Sequence, residues 1–193
     1  MAVEMDQTPP TRQIEVDALA RVEGEGRFKV VIEQDRVVRS EFSIFEPPRY
    51  FEALLVGRSF MDVPDITSRI CGICPIAYIA GASQAMEQAL GLTLSEPIAD
   101  LRRLLYCGEW IQSHVLHTHM LHAPDFLGLA DAFGIAAKDR ALVEQGLAVK
   151  KLGNTLMEVI GGRSVHPVNT RVGGFFSAPS RAAGRCRSRR PGC

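Results

Sequence analysis

The feature that most constrains this chain is the run EPIADLRRLLYCGEWIQSHVLHTHMLHAPDF, residues 96–126. Leu101, Leu104, Leu105, Gly108, Ile111 and Val115 recur at spacings of three and four, which predicts one long helix with an apolar side. A second run, KDRALVEQGLAVKKLGNTLMEVIGG, places Leu142, Val149, Leu152, Leu156 and Val159 at helical spacing and stops at Gly161–Gly162. A third helix is expected from Pro75 to Gly91, since proline suits a first turn and glycine a stop. Its small residues Ala77, Gly81, Ala85 and Ala89 recur every four positions, so another backbone is expected to approach closely and the helix to be central and buried. Ahead of these, alternating residues predict strands at Gly26–Glu33 and Val37–Phe45 joined by a short QDR turn. Tyr50–Val56 reads as a helical turn or two ending at Gly57, and RSVHPVNTRVGGFFSAPS reads as loop. The expected class is α+β, a small N-terminal antiparallel sheet followed by a bundle of long helices.

Composition narrows the function. At 193 residues and 46% apolar content the chain is long enough for a real core. It has no stretch of eighteen uncharged apolar residues, so no membrane span is expected, and its polar, acidic start is unlike a signal peptide. Five cysteines, an odd and modest number, point to reduced thiols in the cytoplasm rather than a disulfide scaffold. The zero net charge hides an asymmetry. RAAGRCRSRRPGC, at the end, holds five arginines and no carboxylate, so without it 17 basic residues face 22 acidic ones. Such a body offers no nucleic-acid surface. Residues 1–12 and 181–193 are expected to be unstructured, with the folded portion at 13–180.

TSRICGICPIAY, residues 67–78, carries the chemistry. Cys71 and Cys74 sit at a helix start, where the helix dipole and Arg69 would both favour thiolate. A redox dithiol of the thioredoxin kind follows a buried apolar strand, whereas FMDVPDITSR is broken by proline and charges. A structural zinc site needs four ligands, usually a second close pair. Cys107 is alone inside a helix, where it reads as a small buried apolar residue, and Cys186 and Cys193 lie in the arginine tail. The third reading makes the pair half of a larger cluster of soft metals, nickel, iron or copper, its other ligands coming from elsewhere. The residues alone leave the metal open. Among the histidines, His114 and His117 would share one side of a helix and His119 and His122 another, a pattern that fits packing better than metal ligation.

RICGICPIAY, preceded by ARVEGEGRF and followed by HVLHTHMLHAPDF and GGRSVHPVNTRVGGF, resembles the large, catalytic subunit of nickel–iron hydrogenases over roughly residues 18–180. The CPIAY ending is similar to the cytoplasmic, bidirectional members that couple to NAD(P), the sulfhydrogenase-like type; Tyr78 stands where the family usually has histidine. The resemblance implies that Cys71 binds nickel terminally and that Cys74 bridges nickel and iron. It further implies carbon monoxide and cyanide on the iron, placed there by maturation proteins. Hydrogen would be split heterolytically, with Glu23 of RVEG relaying the proton. Glu52 would help bind a magnesium or iron ion near the active site, as suits a hard cation and a carboxylate. Arg69 would orient or neutralise the cluster, or make a structural salt bridge. His166 would support the site from behind the ligands. The implied partners are NAD(P)-reductase subunits and, in direct contact, an iron–sulfur small subunit.

The chain also departs from the family. The second cysteine pair, in a DPCxxC block, and the histidine after it are absent, and the match ends after GGFFSAPSRA. A shifted reading frame would produce such an arginine-rich ending, so a truncated product or fragment is expected, inactive by itself. Two alternatives remain. One is a non-catalytic module binding the small subunit or a maturation chaperone. The other is a complex-I-like relative, against which the retained cysteines speak.

Overall fold

The structure is a computed structural model that describes residues 11–46 and 49–179. The expected arginine-rich tail and most of the expected N-terminal disordered stretch lie outside those residues. The chain divides into two compact units, one up to Arg49 and one from Tyr50 onward.

The first unit is a three-stranded antiparallel sheet in the order β1 (Arg12–Val16), β2 (Gly26–Glu33), β3 (Arg36–Ile44). The two expected strands are present. β1 is an addition, and it takes Arg12 out of the stretch expected to be disordered. Glu33 pairs with Arg36, so the turn is only Gln34–Asp35, both at positive φ. Two left-handed residues in a row match the right-handed twist of the flanking strands. Alternation sorts the faces. Val16, Phe28 and Phe42 align across the three strands on the apolar face, with Ile14 and Val30 beside them. Glu15, Lys29 and Glu41 align on the other, where Arg27 and Lys29 approach Glu15 and Arg39 pairs with Glu41. Gly26 is buried because a Cβ there would lie 3.1 Å from the Phe42 ring.

The second unit is helical. Short α1 (Phe51–Leu55) and α2 (Val63–Ser68) lead to α3 (Pro75–Ala89) and α4 (Glu96–Val115). A π-helical segment (Leu116–His122) joins α4 to α5 (Ala123–Phe126), followed by α6 (Ala132–Lys138) and α7 (Arg140–Gly161). A two-residue hairpin, β4 (Thr170–Arg171) and β5 (Gly174–Phe175), closes the segment expected to be loop. The ends follow capping chemistry. Asp131 accepts from Gly134 N and Asp139 from Leu142 N. Gly91, at φ 65°, donates to Gln88 O while Leu92 donates to Glu87 O, closing α3 in a Schellman motif.

Ile76 and Ile79 of α3, Leu105 of α4 and Met157 and Ile160 of α7 form the core, with Leu101, Tyr106 and Phe175 against it. Three sequence expectations change here. The buried side of α3 is Pro75, Ile76, Ile79, Ser83 and Glu87, while Gly81, Ala85 and Ala89 are exposed. The buried side of α7 is Gly146, Gly153, Met157, Ile160 and Gly161, while Leu152 is 63% exposed. On α4, Leu105 and Gly108 are buried but Leu104 is not; the polar Glu109 and Gln112 are buried instead. Close packing explains the glycines of α7, since a Cβ on Gly153 would meet the α4 backbone and one on Gly146 the side chain of His119.

Candidate metal centre

Six residues, Arg69 to Cys74, link α2 to α3. α2 winds its last turn with Thr67 Oγ1 donating to Val63 O and Ser68 Oγ to Asp65 O. Pro64 sits in its first turn, where a missing N–H does no harm, so the proline that reads as a breaker opens a helix. Cys74 occupies the N-cap of α3 and its side chain caps nothing. Its sulfur is therefore not committed to the helix's own N–H groups.

Cys71 and Cys74 are partly buried and joined in no disulfide, with their sulfurs within 4.8 Å of each other. The Cys74 N–H donates to Cys71 Sγ at 3.3 Å. Two sulfurs each about 2.3 Å from a metal ion lie at most about 4.6 Å apart, so a separation within 4.8 Å is close to that of a pair sharing one ion. Among the described residues no histidine and no third cysteine joins both sulfurs at ligand spacing. That disfavours a zinc site in the cysteine–histidine mould, and the helix preceding the loop disfavours the thioredoxin arrangement. The donor set, two soft sulfurs at the start of α3, fits the half-cluster reading.

Three side chains from distant parts of the unit hold the loop. His166 Nδ1 donates to Ser68 O at 2.8 Å, from a residue at φ 46° whose own carbonyl accepts from Arg163 Nε at 2.6 Å. Gln112 Nε2 donates to Ile73 O at 2.8 Å. Glu109 accepts from Ile76 N at 2.6 Å and from Ala77 N at 3.2 Å. Sequence reasoning named His166 but missed Glu109 and Gln112. Their signal was a polar pair three residues apart in the middle of a long, otherwise packed helix.

The other expected residues are placed as follows. Arg69 pairs with Asp65 at 3.2 Å and lines, with Arg58, Asp62 and Arg163, a cavity of about 740 Å³. It forms the salt bridge that was one of its two expected roles. Glu52 is exposed in the first turn of α1 and belongs to no cluster of three metal-ligating side chains among the described residues. Glu23, in the first unit, is exposed in the irregular link between β1 and β2. Cys107 is partly buried. The histidines follow π-helical rather than α-helical spacing. His122 Nδ1 donates to His117 O at 2.8 Å, and those two rings stand 6.1 Å apart. His119 therefore turns to Thr118 instead of sharing a side with His122.

Comparison with known proteins agrees with this geometry. A family described as nickel-dependent hydrogenase matches residues 49–148. The alpha subunit of sulfhydrogenase 2 from Pyrococcus furiosus is 44% identical over 167 residues, covering 86% of this chain and 40% of that protein. Its counterpart in sulfhydrogenase 1 of the same organism is 36% identical over 169 residues, covering 88% and 40%. In three dimensions an NAD+-reducing [NiFe]-hydrogenase in the H2-reduced state superposes with a TM-score of 0.74 at 34% identity, covering 91% of this chain and 41% of that one. The [NiFeSe] hydrogenase of Desulfovibrio vulgaris Hildenborough gives 0.71 at 28% identity, covering 93% and 40%. The chain thus spans about 40% of the length of these relatives. With the RICGIC pair and the sheet-then-helices order in place, the chain belongs to the nickel-dependent hydrogenase family, aligning with the amino-terminal part of its large subunits.

Proposed function

We propose that this chain is the amino-terminal portion of the catalytic subunit of a nickel–iron hydrogenase, acting in the reversible oxidation of hydrogen. The observation that supports it most is the pair of cysteines at the head of α3, outside any disulfide and with sulfurs within 4.8 Å of each other. Cys71 and Cys74 would be the residues of this chain that hold the nickel–iron centre. When bound, a nickel–iron centre with carbon monoxide and cyanide on its iron supplies the heterolytic cleavage of hydrogen. Glu23 takes up the released proton on a carboxylate oxygen and passes it outward. Glu52 offers the hard oxygen ligand that a magnesium or iron(II) ion needs. Arg69 adds a positive charge close in sequence to two anionic sulfurs.

Electrons would leave to an iron–sulfur small subunit, then to NAD(P), the route that likeness to sulfhydrogenases and to an NAD+-reducing hydrogenase favours. Maturation proteins would load the metals, and the cytoplasm is the compartment that suits reduced thiols. No helix among the described residues is long and apolar enough to cross a membrane.

Two thiolates are half of the set that the family resemblance implies, so the chain by itself is expected to take up no hydrogen. The test is nickel and iron analysis of the chain co-expressed with the maturation machinery and a small subunit, beside Cys71→Ser and Cys74→Ser. Metal retention that falls to background in both variants supports the reading. Retention unchanged by either serine would overturn the site. Hydrogen uptake by the purified chain with stoichiometric nickel and iron would overturn its incompleteness.

A further inference from the structure

Glu109 and Gln112 lie one turn apart on α4, both nearly closed to solvent, at 2% and 5% exposure. Both reach main-chain groups on either side of Cys74. Gln112 holds Ile73 O, and Glu109 holds the N–H groups of Ile76 and Ala77. Pro75, between them, has no N–H to satisfy.

The carbonyl that Gln112 holds and the N–H that reaches Cys71 Sγ belong to the same peptide unit, Ile73–Cys74. A peptide is planar, with its C=O and N–H pointing in opposite directions. Fixing the oxygen on one side therefore aims the hydrogen on the other. Gln112 thus controls, through a rigid plate, whether Cys71 receives its hydrogen bond. Glu109 performs the companion task. The first N–H groups of a helix need an acceptor, usually the side chain of the N-cap residue itself. Here the N-cap is Cys74, whose side chain makes no cap bond, and the acceptor comes from another helix.

We propose that Glu109 and Gln112 are positioning residues for the cysteine pair: Gln112 orients the Ile73–Cys74 peptide so that its N–H donates to Cys71 Sγ, and Glu109 caps α3 in place of Cys74. Hydrogen bonds to a ligand sulfur withdraw electron density and tune the bound metal. This rests on the proposed role of the pair as metal ligands, but the two ideas fail in different ways.

The experiment uses the full chain and its Gln112→Met variant, close in shape but unable to donate. Anaerobic titration with cobalt(II) alone reports the sulfur-to-metal charge-transfer band. Loss of the N–H bond raises the energy of the sulfur electrons, so the band of Gln112→Met is expected at longer wavelength than in wild type. Metal-free amide exchange gives the second readout, with the Cys74 N–H exchanging about tenfold faster in the variant. Thermal unfolding runs alongside, since a side chain that merely stabilises the fold lowers the midpoint and leaves the band of the folded fraction where it was. Should Gln112→Met fail to fold, Glu109→Gln carries the comparison, with faster exchange of the Ile76 N–H as its expected result. No thiolate band in wild type would overturn the metal-ligand reading. A wild-type band with unshifted variant spectra and unchanged exchange would overturn the positioning role alone.

Discussion

Gly153 of α7 lies so close to Gly108 of α4 that a Cβ on it would stand 2.6 Å from the Gly108 oxygen and 2.7 Å from Gln112 N. Backbone meets backbone, and neither partner can move without shifting a helix. Gly153→Ala is therefore expected to cost about 2–3 kcal/mol, the upper range for overpacking. At Gly108 the added carbon would meet the Gly153 oxygen and two side-chain atoms of α7 at 3.1 Å, a looser fit. Gly108→Ala should cost less. Gly81 is the control: nothing lies within 4 Å of its Cβ position, and alanine there should stabilise by about 0.5–1 kcal/mol through helix propensity. Urea unfolding of the three variants checks the order. Equal effects at 81 and 153 would mean that the helix crossing is not held by this glycine contact.

Glu87 and Arg102 form a second fixed point. The guanidinium donates to both carboxylate oxygens, at 2.7 and 2.9 Å, and to Arg171 O at 2.8 Å, while Gly173 N donates to Glu87 at 2.7 Å. Glu87 is buried and the Arg102 side chain is only 10% exposed, so removing one leaves the other without its opposite charge. Arg102→Met is expected to lose about 3–5 kcal/mol, and the double variant Arg102→Met with Glu87→Gln less than that. A double-mutant cycle by denaturant unfolding measures the coupling. Additive losses would show that the pair does not act as a unit.

What the residues disclosed depended on how local the determining physics was. The β2–β3 hairpin and the limits of α3 were legible because alternation, Pro75 and Gly91 act within a few residues. The Cys71–Cys74 spacing alone left a redox dithiol, a zinc site and a metal cluster open, and only the family resemblance chose among them. α2 was missed because Pro64 and two aspartates look like breakers, although proline in a first turn is harmless. The inner face of α7 was assigned to its leucines, whereas the helix packs on Gly146 and Gly153, whose contribution is the absence of a side chain. The stripe from Ala77 to Ala89 seemed to promise a similar contact, yet Gly81 has nothing near it. Small residues permit close approach; only a partner helix decides where it occurs. Glu109 and Gln112 stood out as polar residues in a packed helix, but their partners were beyond reach, lying more than thirty residues back along the chain.

His166 separates a hydrogen bond from a backbone strain. Its ring anchors Ser68 O, three residues before Cys71, while its backbone sits at φ 46°, where most side chains are disfavoured. His166→Ala loses the bond and keeps the strain, and is expected to cost about 1–2 kcal/mol. His166→Gly loses the bond but relieves the strain, so it should be the more stable of the two. If glycine proves worse than alanine in thermal unfolding, the left-handed backbone at this position does not persist in solution.

Phe126 and Phe133 are 88% and 84% exposed, at the end of α5 and in α6, and Leu127 near them is 52% exposed. Such rings gain by leaving water and have no partner within the described residues that shields them, so they are natural points of self-association. The double variant Phe126→Ser, Phe133→Ser is expected to reduce concentration-dependent association in sedimentation experiments. Because neither ring contributes to the core, its unfolding midpoint should correspond to a change within about 0.5 kcal/mol of the unmodified chain. A large loss of stability would show instead that the aromatics pack inward in solution. Unchanged association would move attention to the outer face of α7, where Leu147 and Leu152 are also exposed.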